Sequence, residues 1–241
     1  MSGKILFEDE YLVAFEKRSG LLVVPDRWDK DKTNLVDWVH EHHSPEWRNV
    51  HRLDCDTSGI VLFAKSAEVE RPLAALFEKH EILKSYSALV RPAPHQARGT
   101  ISMPLDADPK RLGRMRVAGT GKPSRSEYFV LESWKSGALA LLDVRPLTGR
   151  THQIRVHLAA MGSPIIGDPW YGDGRPLMRS ELPRRGQSPK KRREADEPLL
   201  ERLALHAGRL EFTHPITHET CKIVSPWPAD FARALAALRN C

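Results

Sequence analysis

Cysteine is scarce in this chain. Three of 241 residues are cysteine, Cys55, Cys221 and Cys241, widely spaced and odd in number. That excludes a disulfide framework and points to a reducing, cytoplasmic compartment. Long hydrophobic runs are missing as well. The most apolar stretch, around Ala138–Leu142, falls far short of the roughly 20 residues a membrane helix requires. The opening Met1–Glu8 turns acidic too soon for a secretory signal, so none is expected. Aromatics are few, at 7%, yet hydrophobic residues make up 41% and charged residues 28%. These proportions belong to a globular protein rather than a disordered one.

A uniform excess of positive charge is also lacking. The net charge is +6. Residues 179–193 hold seven cations (Arg179, Arg184, Arg185, Lys190, Lys191, Arg192, Arg193) against Glu181 alone, so the remainder sums to zero. A polyanion-binding surface must therefore be a local patch. The stretch 173–198 has no apolar period and is expected to be a basic, flexible insertion. It reads either as solvated chain or as an arm that contacts phosphates.

No internal repeat is present. Ile5–Glu8 and Tyr11–Lys17 read as strands around an Asp9-Glu10 turn. Thr33–His43 reads as a helix capped by Asn34, with Leu35, Trp38 and Val39 on one face. Gly59–Lys65 is an apolar strand. Ser66 can cap a helix carrying Val69, Leu73, Leu76 and Phe77. Ser85–Arg91 alternates as a strand does, and four strands are expected between Gly99 and Val144. Thr151–Met161 reads as a helix, Ala204–Thr213 and Thr220–Val224 as strands, and Pro228–Arg239 as a last helix. The pattern predicts one α+β domain over residues 1–241, with a mixed, mostly antiparallel sheet and flanking helices.

Two segments are dense in polar side chains. The first is His51-Arg52-Leu53-Asp54-Cys55-Asp56-Thr57-Ser58-Gly59. It suits a tight turn, since Asp, Thr, Ser and Gly are turn formers, and equally a site loop on a rigid scaffold. The second is Thr148-Gly149-Arg150-Thr151-His152-Gln153-Ile154-Arg155-Val156-His157-Leu158, at a helix start. Free N–H groups there favour anions. The competing reading is a capped surface helix with solvated charges.

The strings HRLDCDTSG with GIVLFAKS, KSYSALV (84–90), TGRTHQIRVHLAAMGSPIIGD (148–168) and LALHAGRLEFTHP (203–215) resemble, in order and spacing, the signature of RluA-type RNA pseudouridine synthases. The opening ILFEDEYLVAFEKRSGLLVVP resembles the family's N-terminal hairpin. The resemblance covers nearly the whole chain outside 173–198. One departure is Lys17-Arg18-Ser19-Gly20, where the family usually has Lys-Pro-x-Gly. This should alter a turn and spare the chemistry. An S4-type RNA-binding domain, found in many relatives, is expected to be absent.

The resemblance implies the pseudouridine synthase fold with a central RNA-binding cleft. It implies isomerisation of uridine in structured ribosomal or transfer RNA, without metal or other cofactor. It makes Asp54 the catalytic carboxylate, as nucleophile or base. Arg155 becomes the arginine that pairs with that aspartate. Tyr86 becomes the ring that stacks on the target base and helps remove the C5 proton. The target must be flipped out, and Arg52 is the arginine that can fill the vacated stack. Arg150, Thr151, His152 and Gln153 become RNA contacts. Leu205 and His206 fall in the last motif and are expected to meet the RNA or its base, with Leu205 either a wall of the uracil pocket or core. A monomer without membrane attachment is expected.

Other groupings carry less. His40, His42 and His43 lack a completing carboxylate or cysteine and read as a helix face. Cys55 with His51 is too close in sequence for a dyad, and Cys55 reads as a small buried residue. Asp54 and Asp56 sit in one loop too short to flank a glycosidic bond. Two other function classes stay open: a non-catalytic RNA-binding protein on this fold, and a hydrolase that would release free uracil.

Overall fold

A computed structural model describes residues 3–26, 29, 31–182 and 197–240. In chain order the elements are β1 (Lys4–Glu8), β2 (Leu12–Lys17), α1 (Leu35–His42), β3 (Arg48–Asn49), β4 (Ser58–Ala64), α2 (Ala67–Glu78), β5 (Leu83–Val90), β6 (Arg98–Ser102), β7 (Leu105–Ala107), β8 (Met115–Val117), β9 (Arg125–Trp134), β10 (Leu139–Pro146), α3 (Gln153–Ala160), β11 (Leu177–Met178), β12 (Pro198–Leu200), β13 (Leu205–Thr213), β14 (Thr220–Val224) and α4 (Ala229–Arg239). The chain divides into two compact units. The first comprises Met1–Tyr86, Arg145–Thr151 and Leu205–Pro226; the second comprises Ser87–Val144, His152–Ala204 and Trp227–Cys241.

In the first unit, β2 pairs antiparallel with β1 and β4, β3 with β4, and β14 with β13. The sheet is mixed because β13 joins β4 in parallel, His206 opposite Ser58 and Ala207 opposite Gly59. Period-2 alternation sends β2 and β4 side chains to opposite faces. Leu12, Ala14, Ile60, Leu62 and Ala64 pack with Val69 and Leu73 of α2. Val13, Phe15, Val61 and Phe63 pack with Leu35 and Val39 of α1. Every residue of β4 is buried, so the unbroken run IVLFA is what a strand covered on both faces requires. Asn34 caps α1 as read, its side chain accepting from the Asp37 N–H. Ser66 takes the N-cap position of α2, yet its side chain makes no capping hydrogen bond.

In the second unit β6 pairs antiparallel with β9, and β7 and β8 form a separate hairpin. Five strands, not four, therefore lie between residues 98 and 146. The β7–β8 strands are three residues each and their turn is mostly polar, which hides the hairpin from a hydrophobic pattern. The insertion at 173–198 is not wholly featureless either. Leu177 and Leu200 are buried in the β11–β12 ribbon. The cationic positions 184, 185 and 190–193 lie outside the described residues.

Helix α3 begins at Gln153, two residues later than expected. His152 takes a left-handed conformation, φ 53°, and so stands outside the helix as its N-cap. The helix is not a solvated surface helix: Gln153, Ile154, Arg155, Val156, His157 and Leu158 are all buried.

Candidate active site

In the first unit Asp54 opens a tight turn closed by the Thr57 N–H on the Asp54 carbonyl, 3.1 Å. Leu53, just before it, is buried in the core cluster of Phe15, Val61 and Phe63, which anchors the turn. The turn's other carbonyls are held by the segment after β2. The Gly20 N–H donates to the Cys55 carbonyl (3.0 Å). Ser19 Oγ donates to the Asp56 carbonyl (2.6 Å). Lys17 Nζ donates to the carbonyls of Cys55 (2.7 Å), Leu21 (2.6 Å) and Arg18 (3.1 Å). Lys17 is fully buried, so these three acceptors match the ammonium's three protons. The segment that departs from the family's Lys-Pro-x-Gly is thus a backbone clamp on the Asp54 turn. Sequence reading left Lys17 and Ser19 without a role, because nothing local marks a lysine at a strand end as buried.

The Lys17→Met variant removes all three donors while keeping the apolar stem. It is expected to lose at least about 2 kcal/mol, from carbonyls left unsatisfied in a buried site. Urea unfolding checks this; an unchanged midpoint would show that the clamp adds no stability.

Tyr86 is half-buried and packs against the same core cluster as Leu53. Burial pushes its pKa up, and the negative charge of Asp54 adds to that. Tyr86 therefore presents a flat ring and a neutral hydroxyl, and a phenolate is disfavoured there. Arg52 is exposed, Arg150 half-buried and Thr151 exposed.

His206 departs from its expected role as an RNA contact. It is fully buried, with Nδ1 3.0 Å from Ser58 Oγ and Nε2 3.2 Å from the Ser225 carbonyl. A carbonyl can only accept, so Nε2 carries the proton and Nδ1 accepts from Ser58. The ring ties β13 to β4 and is structural. Leu205 is buried as well, at the start of β13.

His51 and Cys55 form no dyad. His51 Nε2 accepts the Leu62 N–H at 3.0 Å, and the ring stacks on Phe77 at 4.5 Å. Burial, with the charge of Lys84, lowers the His51 pKa to about 3. Cys55 is half-buried rather than buried, and burial raises its pKa too, the opposite of an activated thiol. The three neighbouring histidines are packing groups. His40 Nε2 meets the Trp47 carbonyl at 2.8 Å, while His42 stacks on Trp38 and His43 on Trp47.

The depressed His51 pKa has a consequence for stability. Between pH 6.5 and about 3 the unfolded chain binds a proton at this position and the folded chain does not. Stability should therefore fall as pH falls through that window, by up to about 1.4 kcal/mol per pH unit from this group. His51→Gln keeps an acceptor for the Leu62 N–H and removes the titration. Urea unfolding from pH 7 to 4 should show a shallower acid limb in the variant; parallel curves would sink the assignment.

In the second unit, Arg155 lies on α3 and is 3% exposed. Its Nε donates to Asp168 Oδ2 at 2.8 Å and its Nη2 to Asp168 Oδ1 at 2.9 Å. Asp168 was not singled out in the sequence, although it ends the third matched string. Gln153 also departs from expectation. It is buried, and its Nε2 donates to the Arg125 carbonyl (2.8 Å) and Ser126 Oγ (2.9 Å). Both amide hydrogens are spent inside the unit, so Gln153 is a bracket between α3 and β9. His152 is half-buried, with Nδ1 2.8 Å from the Tyr171 hydroxyl. Among the described residues no cluster of three His, Cys, Asp or Glu could hold a metal ion, and no helix is long and apolar enough to cross a membrane.

Comparison with known proteins bears on this arrangement. The family described as RNA pseudouridylate synthase matches residues 11–160. The chain is 36% identical to the dual-specificity RNA pseudouridine synthase RluA of Escherichia coli K12, covering 94% of this chain and 93% of that protein. It is 38% identical to the ribosomal large subunit pseudouridine synthase D of Nitrosomonas europaea, covering 98% of this chain and 65% of that protein's length. Among solved structures, human RNA pseudouridylate synthase domain containing 4 is similar with a TM-score of 0.71 and 25% identity, covering 98% of this chain and 92% of that one. Human RNA pseudouridylate synthase domain containing 1 gives 0.70 and 26%, with 94% and 84% covered.

Proposed function

We propose that Asp54, Tyr86 and Arg155 carry the chemistry of this chain, which belongs to the RluA-type RNA pseudouridylate synthase family and is an isomerase of RNA uridine. The substrate in this reading is uridine in a folded ribosomal or transfer RNA in the cytoplasm. The N1–C1′ bond breaks, the detached uracil turns, and a C5–C1′ bond forms. The C5 proton leaves and N1 ends protonated, so mass and oxidation state are unchanged. Asp54 acts in its ionised form at the sugar or the base. Tyr86 lends the uracil its ring face, with the hydroxyl kept neutral. Arg155 supplies the cation. Arg52, exposed beside Asp54, fills the stack that the flipped base leaves. Arg150, Thr151 and His152 meet the RNA, and the buried Leu205 packs as core.

The observation that carries this reading is the Asp54 turn itself. Its backbone is clamped through Cys55 and Asp56 by Lys17, Ser19 and Gly20, while the Tyr86 ring packs on the core that anchors Leu53. Such preorganisation suits a carboxylate that must keep one position through bond breaking. The test is to map pseudouridines by carbodiimide adducts and primer extension in wild-type and gene-deleted cells. One or more adducts should vanish with the gene. Unchanged maps would favour a binding protein on this fold, and free uracil in a chromatographic assay would favour a hydrolase.

A further inference from the structure

Asp168 is nearly fully buried, at 1% exposure, and its two carboxylate oxygens take four hydrogen bonds. Oδ2 accepts from Arg155 Nε. Oδ1 accepts from Arg155 Nη2 and from the backbone N–H groups of Trp170 (2.9 Å) and Tyr171 (3.1 Å). One side chain thus grips the side edge of the guanidinium and caps the turn that carries two aromatic rings. Those rings in turn hold the guanidinium. The Arg155 carbon lies 5.4 Å from the Trp170 ring and 5.1 Å from the Tyr171 ring, within cation–π range. The rings are tilted 67° to each other, so they form two walls. Tyr171 is itself fixed: its oxygen accepts the Met115 N–H at 2.8 Å, leaving its O–H for His152 Nδ1.

Stability does not account for this arrangement. A buried ion pair can often be replaced by apolar side chains without loss, because desolvation cancels much of the attraction. What the pair does provide is direction. The two parallel bonds from Nε and Nη2 hold the guanidinium plane in one orientation, as a bidentate pair does. Burial pushes the Asp168 pKa up, but the hydrogen bonds and charge of Arg155 and the two backbone donors outweigh it and hold the carboxyl below its ordinary value.

We propose that Asp168 is a positioning residue of the isomerase: by gripping Arg155 and capping the Trp170–Tyr171 turn, it fixes the orientation of the guanidinium. The proposal rests on Arg155 being a site cation, as assigned above. A guanidinium free to rotate by about 1 Å at the reacting groups would lose on the order of 10²-fold in rate.

The test compares wild type, Arg155→Met, Asp168→Asn and the double variant, each in full-length protein. Single-turnover rates are measured at saturating RNA, alongside RNA affinity and melting temperature. Asp168→Asn retains an oxygen for the Trp170 and Tyr171 N–H groups and removes the charge facing Arg155. It should lose about 10²-fold in the saturating rate with RNA affinity unchanged, a split that simple loss of structure would not give. The double variant should be no slower than Arg155→Met alone, because Asp168 acts only through Arg155. A wild-type rate in Asp168→Asn, or a double variant slower by the product of the two single losses, overturns the proposal. If Asp168→Asn fails to fold, the double variant decides alone, since it leaves no unpaired buried charge. A wild-type rate in Arg155→Met would instead bring down the assignment of Arg155, and this proposal with it.

Discussion

Asp54→Asn should fold, bind RNA and make no pseudouridine. The substitution keeps the side chain's size and removes only its charge. The bonds that clamp the turn run to the carbonyls of Cys55 and Asp56, not to the Asp54 side chain, so the loop geometry should survive. Loss of a group acting as nucleophile or base typically costs a factor of about 10⁴ or more. Turnover above roughly one percent of wild type would exceed what that loss permits and would pass the chemistry to another residue. RNA affinity by filter binding and melting temperature are the controls, and both should match wild type.

Gly59→Ala should strongly destabilise the first unit. The glycine has φ +124°, and an added Cβ would stand 2.2 Å from the Ala207 carbonyl oxygen and 2.7 Å from the Ala207 backbone carbon and nitrogen. Neither atom belongs to a flexible side chain, so the β4–β13 pair would have to part. Left-handed strain adds about 1–3 kcal/mol to the clash. A total loss of at least about 3 kcal/mol lowers the melting temperature by roughly 6–12 °C in a chain of this size. Gly20→Ala is the matched control: its φ is +80°, but nothing lies within 4 Å of the added Cβ. It should bear the backbone strain alone. Equal losses in the two variants would mean that the close approach to Ala207 does not matter.

Much of this was legible in the sequence, and the exceptions have physical causes. The β2 and β4 strands and α1, α2 and α4 stand out because their apolar spacing matches their burial. The β7–β8 hairpin does not, since three-residue strands bury too little to leave a period. The start of α3 is hidden by His152, a residue whose left-handed conformation composition cannot reveal. For the site, Asp54, Tyr86 and Arg155 are proposed on motif position. Motif position also drew in Gln153 and His206, whose side-chain nitrogens are held by Arg125, Ser126, Ser58 and Ser225. A polar side chain in a motif can be a ligand or a strut, and only its hydrogen-bond partners tell which. Lys17 and Asp168 escaped for the converse reason: each has a decisive partner, Cys55 for Lys17 and Arg155 for Asp168, that lies well away in sequence.

The parallel pairing of β4 with β13 also bears on the order in which the protein folds. Ser58 reaches the Leu205 carbonyl and the His206 ring across 147 and 148 residues of chain. Contacts this far apart in sequence form late and slow folding. The Asp54 turn, by contrast, is clamped by contacts no more than 38 residues apart in sequence. The Asp54 turn is therefore expected to close before the β4–β13 pair that borders it, so an early folding species would hold the turn without its finished frame.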